Sequence, residues 1–424
     1  MLTNEIETDN FEDELMRLLY TIFIHFYGLA ARFAAFRSAK AKAFVQGRRN
    51  FPFPPPGDVK QWFWFHAASL GEFEQGRPVI EEVRARFPEI KILLSFFSPS
   101  GYEIRKDYEL ADQVIYMPLD TVNNARKLLS NYQIKAAFFI KYEFWFNHLK
   151  VLQQKDIPVF YFSVRFRDNQ HFFKPYVSWF RKHLTYVEHF FVQDEHSAEL
   201  LKSIGISQHS IAGDTRFDRV AKIAAKADPI PEIEEFIAGR KCIIAGSTWP
   251  PDETLLLEIL AELPDDYCLI FAPHDVSDAH IAQLKNRLNA AAGLFSKKQF
   301  DPANKVLIID QIGLLSRAYR YARFAYIGGG FGKAIHNIQE AVTFGCPVIF
   351  GPKHEQFTEA VDLLALGGAF SVNNAQDLKA RFDQLIHDET FYLEASAVCK
   401  DYVHKQLGAT TKIMSFLEER FAKQ

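Results

Sequence analysis

The strongest constraint on how this chain folds is a rhythm that runs through it twice. Short apolar runs at Trp62–Ala67, Ile92–Phe97, Ala136–Ile140, Val159–Ser163 and Phe190–Val192 alternate with stretches of helical period. The punctuated segment ADPIP, Ala227 to Pro231, interrupts them. A second series then begins at Cys242–Ala245, Cys268–Ala272, Val306–Ile309, Phe324–Ile327 and Val348–Phe350. Strand runs separated by helices are the mark of a parallel-sheet α/β architecture. Two such series predict two Rossmann-like halves facing a cleft, residues 51–226 and 227–424, preceded by a distinct segment 1–50. A length of 424 residues agrees with two or three domains. In open α/β sheets ligands sit beyond the carboxyl ends of the strands, so functional residues are expected directly after these runs.

The first 50 residues read differently. Six acids and no cations lie between Glu5 and Glu14, and five cations and no acids between Arg37 and Arg49. The apolar run between them, Leu18 to Ala31, is 14 residues long, short of the roughly 20 a comfortable membrane span needs. It has no small-residue cleavage site of the signal-peptide type. The expectation is a membrane anchor, spanning or interfacial, with the basic side keeping the rest of the chain in the cytoplasm. The alternative is an amphipathic helix packed on the protein body. FPFPPPGD, Phe51 to Asp58, reads as a stiff linker. Removal of residues 1–49 is therefore expected to cost little core.

Composition excludes more than it identifies. Hydrophobic residues at 48% and charged residues at 24% exclude a disordered, collagen-like or coiled-coil chain. A net charge of −3 gives no global attraction to nucleic acid. The 41 phenylalanines are read first as a large core built on Phe. Cys242, Cys268, Cys346 and Cys399 sit in or beside apolar runs with no C-x-x-C pair, as buried thiols do.

Several segments after the strands carry chemistry. In HAASLGE the small residues Ala67, Ala68, Ser69 and Gly71 allow a close turn, and Glu72 falls in the first turn of the next helix. It is equally a candidate general base and a helix-dipole partner. IKYEFWFN places Lys141 and Glu143 after a strand with Trp145 as an apolar floor, although such a pair is also an ordinary surface feature. From Ser163 to Leu184, Arg165, Arg167, Lys174, Arg181 and Lys182 interleave with six aromatics. That stretch suits a phosphorylated amphiphile, a lipid interface or single-stranded nucleic acid, or else a helix with one buried aromatic face. GDTRFD brings Arg216 to the end of the first half.

In the second half AGSTW is a plausible anion-binding turn and APHD follows the next strand. The most specific segment is YIGGGFGKAIHNIQEAVTFGCPVIFGP, Tyr326 to Pro352, where a Gly-rich turn precedes His336, Asn337 and Glu340 on the first turns of a helix. Two-Rossmann nucleotide-sugar transferases hold ribose and phosphate with this order of features. No D-x-D, H-E-x-x-H or clustered histidines suggest a metal, so a metal-independent mechanism is preferred.

Taken in order, these motifs resemble the 3-deoxy-D-manno-octulosonic acid (Kdo) transferases of lipid A assembly. The likeness runs through HAASLGE, EFWFN, VRFR, GDTRFD, AGST, APHD, GGGF…HNIQEA and GCPVIFGP. It implies a GT-B fold with an N-terminal membrane-anchor helix, at the inner membrane with catalytic domains on the cytoplasmic face. It implies a cytidine-monophosphate-linked Kdo donor (CMP-Kdo), a lipid A precursor acceptor (lipid IVA), inversion at the anomeric carbon, and neither resident cofactor nor nucleic-acid partner.

By motif, Glu72 matches the family's catalytic base. Lys141 stands where the family has an acid, and Arg216 where it has a lysine; both fall on transition-state positions. Donor contacts fall on Pro273 and His274, usually Pro-Arg in the family. They also fall on Ile312, Gly313 and Leu314, usually Met-Gly-Glu, and on Asn337, Ile338, Gln339 and Glu340. The rival readings are a non-catalytic, membrane-anchored protein that binds anionic glycolipid, and a nucleotide-sugar epimerase of the same fold.

Overall fold

The computed structural model describes residues 2–49, 60–174, 178–226, 228–288, 292–298 and 304–422, with the backbone alone for 2–13. The proline-rich linker expected at Phe51–Asp58 lies outside them. Two compact units divide the chain: Met1–Arg216 with Gly408–Gln424, and Phe217–Leu407.

The first unit is a seven-stranded sheet of β1 (Gln61–Ala67), β2 (Lys91–Phe96), β3 (Gln113–Tyr116), β4 (Gln133–Ile140), β5 (Val159–Val164), β6 (His189–Val192) and β7 (His209–Ile211). Its order is β3-β2-β1-β4-β5-β6-β7 and every pair is parallel. Alternation along β1 sends Trp62 and Trp64 into one core layer and Phe63, Phe65 and Ala67 into the other, so both faces are dry. Phenylalanine fills these layers: Phe65, Phe138 and Phe160 stack along adjacent strands.

The N-terminal segment belongs to this unit and is not a separate domain. Helix α1 (Leu2–Ala34) and helix α2 (Ala39–Gly47) pack on the sheet layer. Tyr20 donates to Asp120 at 2.6 Å, and the Asn147 amide donates to the Thr21 hydroxyl at 3.2 Å. Ile24 and Phe44 are buried. Gly28 sits so near Leu119 that a Cβ there would meet its Cδ1 at 2.6 Å. The opposite side of α1 presents Leu15, Leu18, Leu19, Ile22, Phe23, Phe26, Leu29 and Phe33 to solvent, Phe26 at 67% exposure. The helix is thus doubly apolar, one face docked and one open. Among the described residues no helix is long and apolar enough to cross a membrane, which corrects the spanning form of the anchor. Removal of residues 1–49 would strip Ile24, Phe44 and the Tyr20 partner of Asp120 from the unit, so the expectation of little lost core is corrected too.

The chain's end also departs from expectation. The helix Ala409–Phe421 returns to the first unit, where Ile413, Met414, Leu417 and Phe421 pack beside Phe63 and Phe160. The second unit therefore ends at Leu407 rather than 424, and the division after Arg216 falls inside the helix Thr215–Lys226 rather than after 226.

The second unit repeats the architecture. Strands β8 (Lys241–Thr248), β9 (Tyr267–Pro273), β10 (Ala292–Leu294), β11 (Val306–Ile308), β12 (Ala322–Ile327), β13 (Val348–Phe350) and β14 (Ala369–Ser371) form a parallel sheet ordered β10-β11-β9-β8-β12-β13-β14. All four cysteines are buried free thiols. The basic–aromatic stretch resolves toward its bland reading. Phe166, Phe172 and Trp179 are buried in the first unit's core and Phe173 and Phe180 pack against it, so these aromatics hold the fold; Tyr176 lies outside the described residues.

Candidate functional site

Each sheet reverses its winding direction once, and each reversal leaves a crevice at the strands' carboxyl ends where ligands bind. In the first unit it lies between β1 and β4, and in the second between β8 and β12. The candidate residues gather at these two places.

At the first, β1 runs into Ser69 and helix α3 (Leu70–Arg86), whose capping box is closed by Glu72. The Glu72 Oε2 accepts from the Ala68 N–H at 2.6 Å and the Ser69 N–H at 3.2 Å. Burial pushes its carboxyl above the usual carboxylate range, against the opposing pull of Lys141 and of these two bonds. Lys141 leaves β4 in the left-handed conformation, φ 64°, its N–H tied to the Phe162 carbonyl at 2.9 Å. For a non-glycine residue this costs roughly 1–2 kcal/mol, the kind of local strain that collects at functional sites. Glu143, two residues on, is pushed up to about 8 by burial and then by the Glu72 charge, with Lys141 acting the other way. The two carboxyls and Lys141 thus act on one another electrostatically.

Trp145 floors this loop, 4.6 Å from the Phe97 ring and 5.8 Å from His66. His66 is fully buried, which lowers it to about 3 and keeps it neutral; its Nδ1 lies 2.8 Å from the Ser95 hydroxyl. The Trp145 Nε1 and His66 Nε2 are buried without a protein partner among the described residues. Asn147, the end of the same motif, is held by Asp120, which accepts from the backbone N–H groups of Asn147 and His148.

Arg216 lies on the helix Thr215–Lys226, and Asp214 holds its guanidinium, with Nε 2.8 Å and Nη2 2.6 Å from Oδ2. Its neighbour Thr215 reaches back to the Gln75 carbonyl and the Ser163 hydroxyl, which fixes where the helix starts. Glu72 and Lys141 are therefore brought together, while Arg216 is a paired cation on the following helix.

In the second unit the glycine-rich turn after β12 packs backbone against backbone. A Cβ on Gly328 would meet the Ser247 carbonyl oxygen at 2.3 Å, and Gly329 has φ +94°. Buried Asp252 pins the assembly: it accepts from the N–H groups of Trp249 and Gly329, each at 2.9 Å, and from the Tyr326 hydroxyl at 2.8 Å. Over this turn three rings stack. His274 lies 4.7 Å from Trp249 and 4.4 Å from His336, and Trp249 Nε1 donates to His336 Nε2 at 2.9 Å. Burial, then His274, lowers His336, so it accepts this bond as a neutral imidazole.

The expected donor residues surround the stack unevenly. Pro273 ends β9 and His274 is in the stack. Ile312, Gly313 and Leu314 follow β11, with Ile312 87% exposed. Asn337 accepts from the Gln339 N–H at 2.9 Å and lies near Glu340. Ile338 and Gln339 are buried, and Gln339 donates to Glu359, so their side chains serve the core. His336 and Asn337 were expected on a helix; they precede a helix of only four residues, Gln339–Val342, because the backbone turns away at once. Among the described residues no group of three or more His, Cys, Asp or Glu converges as a metal site.

The comparisons with known proteins bear on this geometry. Residues 29–219 match the family model described as 3-Deoxy-D-manno-octulosonic-acid transferase (kdotransferase). The 3-deoxy-D-manno-octulosonic acid transferase of Rickettsia felis is 25% identical over 84% of this chain and 78% of its own. That of Chlamydophila psittaci is 24% identical over 92% and 90%. This chain is similar to the Kdo transferases over most of its length. Among solved structures, UDP-GlcNAc 2-epimerase from Neisseria meningitidis superposes with a TM-score of 0.59 at 16% identity, over 85% of this chain and 100% of that one. At that identity the likeness establishes the two-Rossmann fold alone.

The sequence reading placed Trp249 at the end of the AGSTW turn but not in a ring platform, and it missed Asp252, the platform's anchor; the signal was the run Trp-Pro-Pro-Asp opening the helix Pro250–Leu260 after a strand.

Proposed function

We propose that this chain is a glycosyltransferase that moves Kdo from CMP-Kdo to a lipid A precursor, lipid IVA, with inversion in a single displacement. The observation that carries the reading is Glu72, a half-buried carboxyl of raised pKa at the first sheet's winding reversal, in a chain related to Kdo transferases. The acceptor hydroxyl gives its proton to the Glu72 carboxylate as its oxygen bonds to the anomeric carbon. The bond from that carbon to the CMP phosphate oxygen breaks, and CMP leaves with the electron pair. Lys141 steadies anionic charge beside the base, and Arg216 does so less directly because Asp214 already holds it. On the second unit the Trp249–His274–His336 stack offers a flat face for the cytosine. Pro273, the Ile312–Leu314 turn, Asn337, Glu340 and the backbone at Ile338 and Gln339 complete the donor contacts.

The same reading places α1 in the plane of the inner membrane's cytoplasmic surface. Its open apolar face suits the boundary between headgroups and acyl chains, where a helix lies without spanning. The direct test incubates the purified full-length protein with CMP-Kdo and lipid IVA and weighs the lipid by mass spectrometry. A gain of one or more Kdo residues with release of CMP is expected. An unmodified lipid beside intact donor would overturn the reading.

A further inference from the structure

Outside the site just described, α1, α2 and the helix Val122–Asn131 enclose a cavity of 270 Å³. Arg32, Arg48, Arg49, Lys127 and Asn124 line it, and among the described residues no Asp or Glu does. Arg48 is sunk into the wall. Its guanidinium lies 3.6 Å over the Phe44 ring and 4.8 Å from Phe97, and donates to the carbonyls of Met117 at 2.9 Å, Phe44 at 3.0 Å and Phe97 at 2.7 Å. Among the described residues no carboxylate pairs with it. Burial lowers it to about 9, and only tyrosines offset that burial. A sunken cation without a counter-charge is what proteins ordinarily avoid. An anion in the cavity would supply the missing charge, and Arg32, Arg49 and Lys127 at its rim would meet the remaining oxygens.

The cavity's position says which anion. Arg32 stands on α1 beside Leu29, Phe33 and Phe36, the exposed apolar residues that face away from the body. With the stripe lying among acyl chains, the rim sits at headgroup depth, where long cationic side chains find phosphate. We propose that the cavity bounded by α1, α2 and the helix Val122–Asn131 binds the phosphate of an anionic membrane phospholipid. It rests on the reading of α1 as a membrane-lying helix and adds a headgroup site to it. An apolar stripe alone would partition into any bilayer, whereas a cationic cavity beside it selects membranes by charge.

The test uses the full-length protein and vesicles of phosphatidylcholine alone or mixed with phosphatidylglycerol. The wild type should bind the mixed vesicles more tightly. The triple variant Arg32→Ala, Arg49→Ala, Lys127→Ala should lose that preference by about 10²-fold while binding pure phosphatidylcholine as the wild type does, since each cation at an anionic surface contributes a few-fold to tenfold. Arg48 is left in place because it ties three carbonyls. A triple variant that kept the preference would overturn the site. So would loss of transfer to detergent-dispersed lipid IVA with the vesicle preference intact, because the cavity would then hold the acceptor's phosphate. The variant Phe23→Ser, Phe26→Ser, Phe33→Ser separates the two readings. It should lose binding to both vesicle types, and wild-type binding to pure phosphatidylcholine would defeat the membrane-lying helix itself. Inorganic phosphate should weaken binding to the mixed vesicles more than chloride at equal ionic strength, and equal effects of the two salts would count against a phosphate site.

Discussion

The two units share a winding and differ in what they place at its reversal. The first puts two half-buried carboxyls and a cation there, on a capping box and a strained strand end, with pKa values displaced upward by burial. The second puts rings and bare backbone there, stacked over a glycine turn that one buried aspartate pins from below. The first arrangement is suited to moving a proton; the second is suited to holding something flat and charged still. One fold can thus divide a transfer reaction between chemistry and grip by changing a few residues after equivalent strands.

Substitutions can separate these two roles. The largest effect should come from deleting residues 1–49. Losing the burial of Ile24 and Phe44 and one partner of Asp120 should cost the first unit roughly 5 kcal/mol. Thermal unfolding followed by hydrogen exchange should show that loss in the first sheet, with protection of the second unit unchanged. Asp252→Ala leaves three donors without their acceptor, at roughly 3 kcal/mol or more. Calorimetry should find the second unit less stable and CMP binding weakened, while the first unit keeps its stability. Glu72→Gln retains an oxygen for the Ala68 N–H but cannot take a proton. Transfer should fall about 10²-fold or more with CMP affinity unchanged, and a parallel fall in CMP affinity would blur the division drawn here. The smallest effect should be that of Trp249→Ala, where losing one stacking face costs roughly 1–3 kcal/mol of CMP affinity and leaves the pH dependence of transfer where it was. Equilibrium titration with CMP measures it.

The sequence exposed the interior of both sheets and missed their borders. The four strands it did not supply, β3, β7, β10 and β14, are the four sheet edges. Segments such as HSI and AGL are three residues long, and an edge strand needs neither the length nor the continuous apolar run that marks a strand buried on both faces. Glu72, Lys141, Pro273 and the glycine turn could be located because each directly follows a central strand. The ring stack could not, since Trp249 and His336 stand 87 residues apart and meet only through the turn that Asp252 holds. Nor could the docking of α1. Tyr20, Thr21 and Gly28 look like members of an apolar run until Asp120, Asn147 and Leu119 are found opposite them. The aromatic stretch from Phe166 to Trp179 misled for a related reason, because a core face interleaved with surface cations has the same composition as a lipid-binding one.

The proposed mechanism rests on Glu72 as a base whose ionisation Lys141 favours against burial. The decisive measurement is the pH dependence of kcat/KM for Kdo transfer in the wild type and in Lys141→Ala. Burial raises the Glu72 carboxyl, so activity should fall, as pH is lowered, at a pH above the ordinary carboxylate value. Lys141 favours the charged carboxylate, so removing it should carry that acid limb to still higher pH as well as lower the rate. Lys141→Glu, a second negative neighbour, should move the limb in the same direction without restoring activity. An acid limb at the same pH in all three proteins would contradict the assignment, and the base would have to be sought elsewhere.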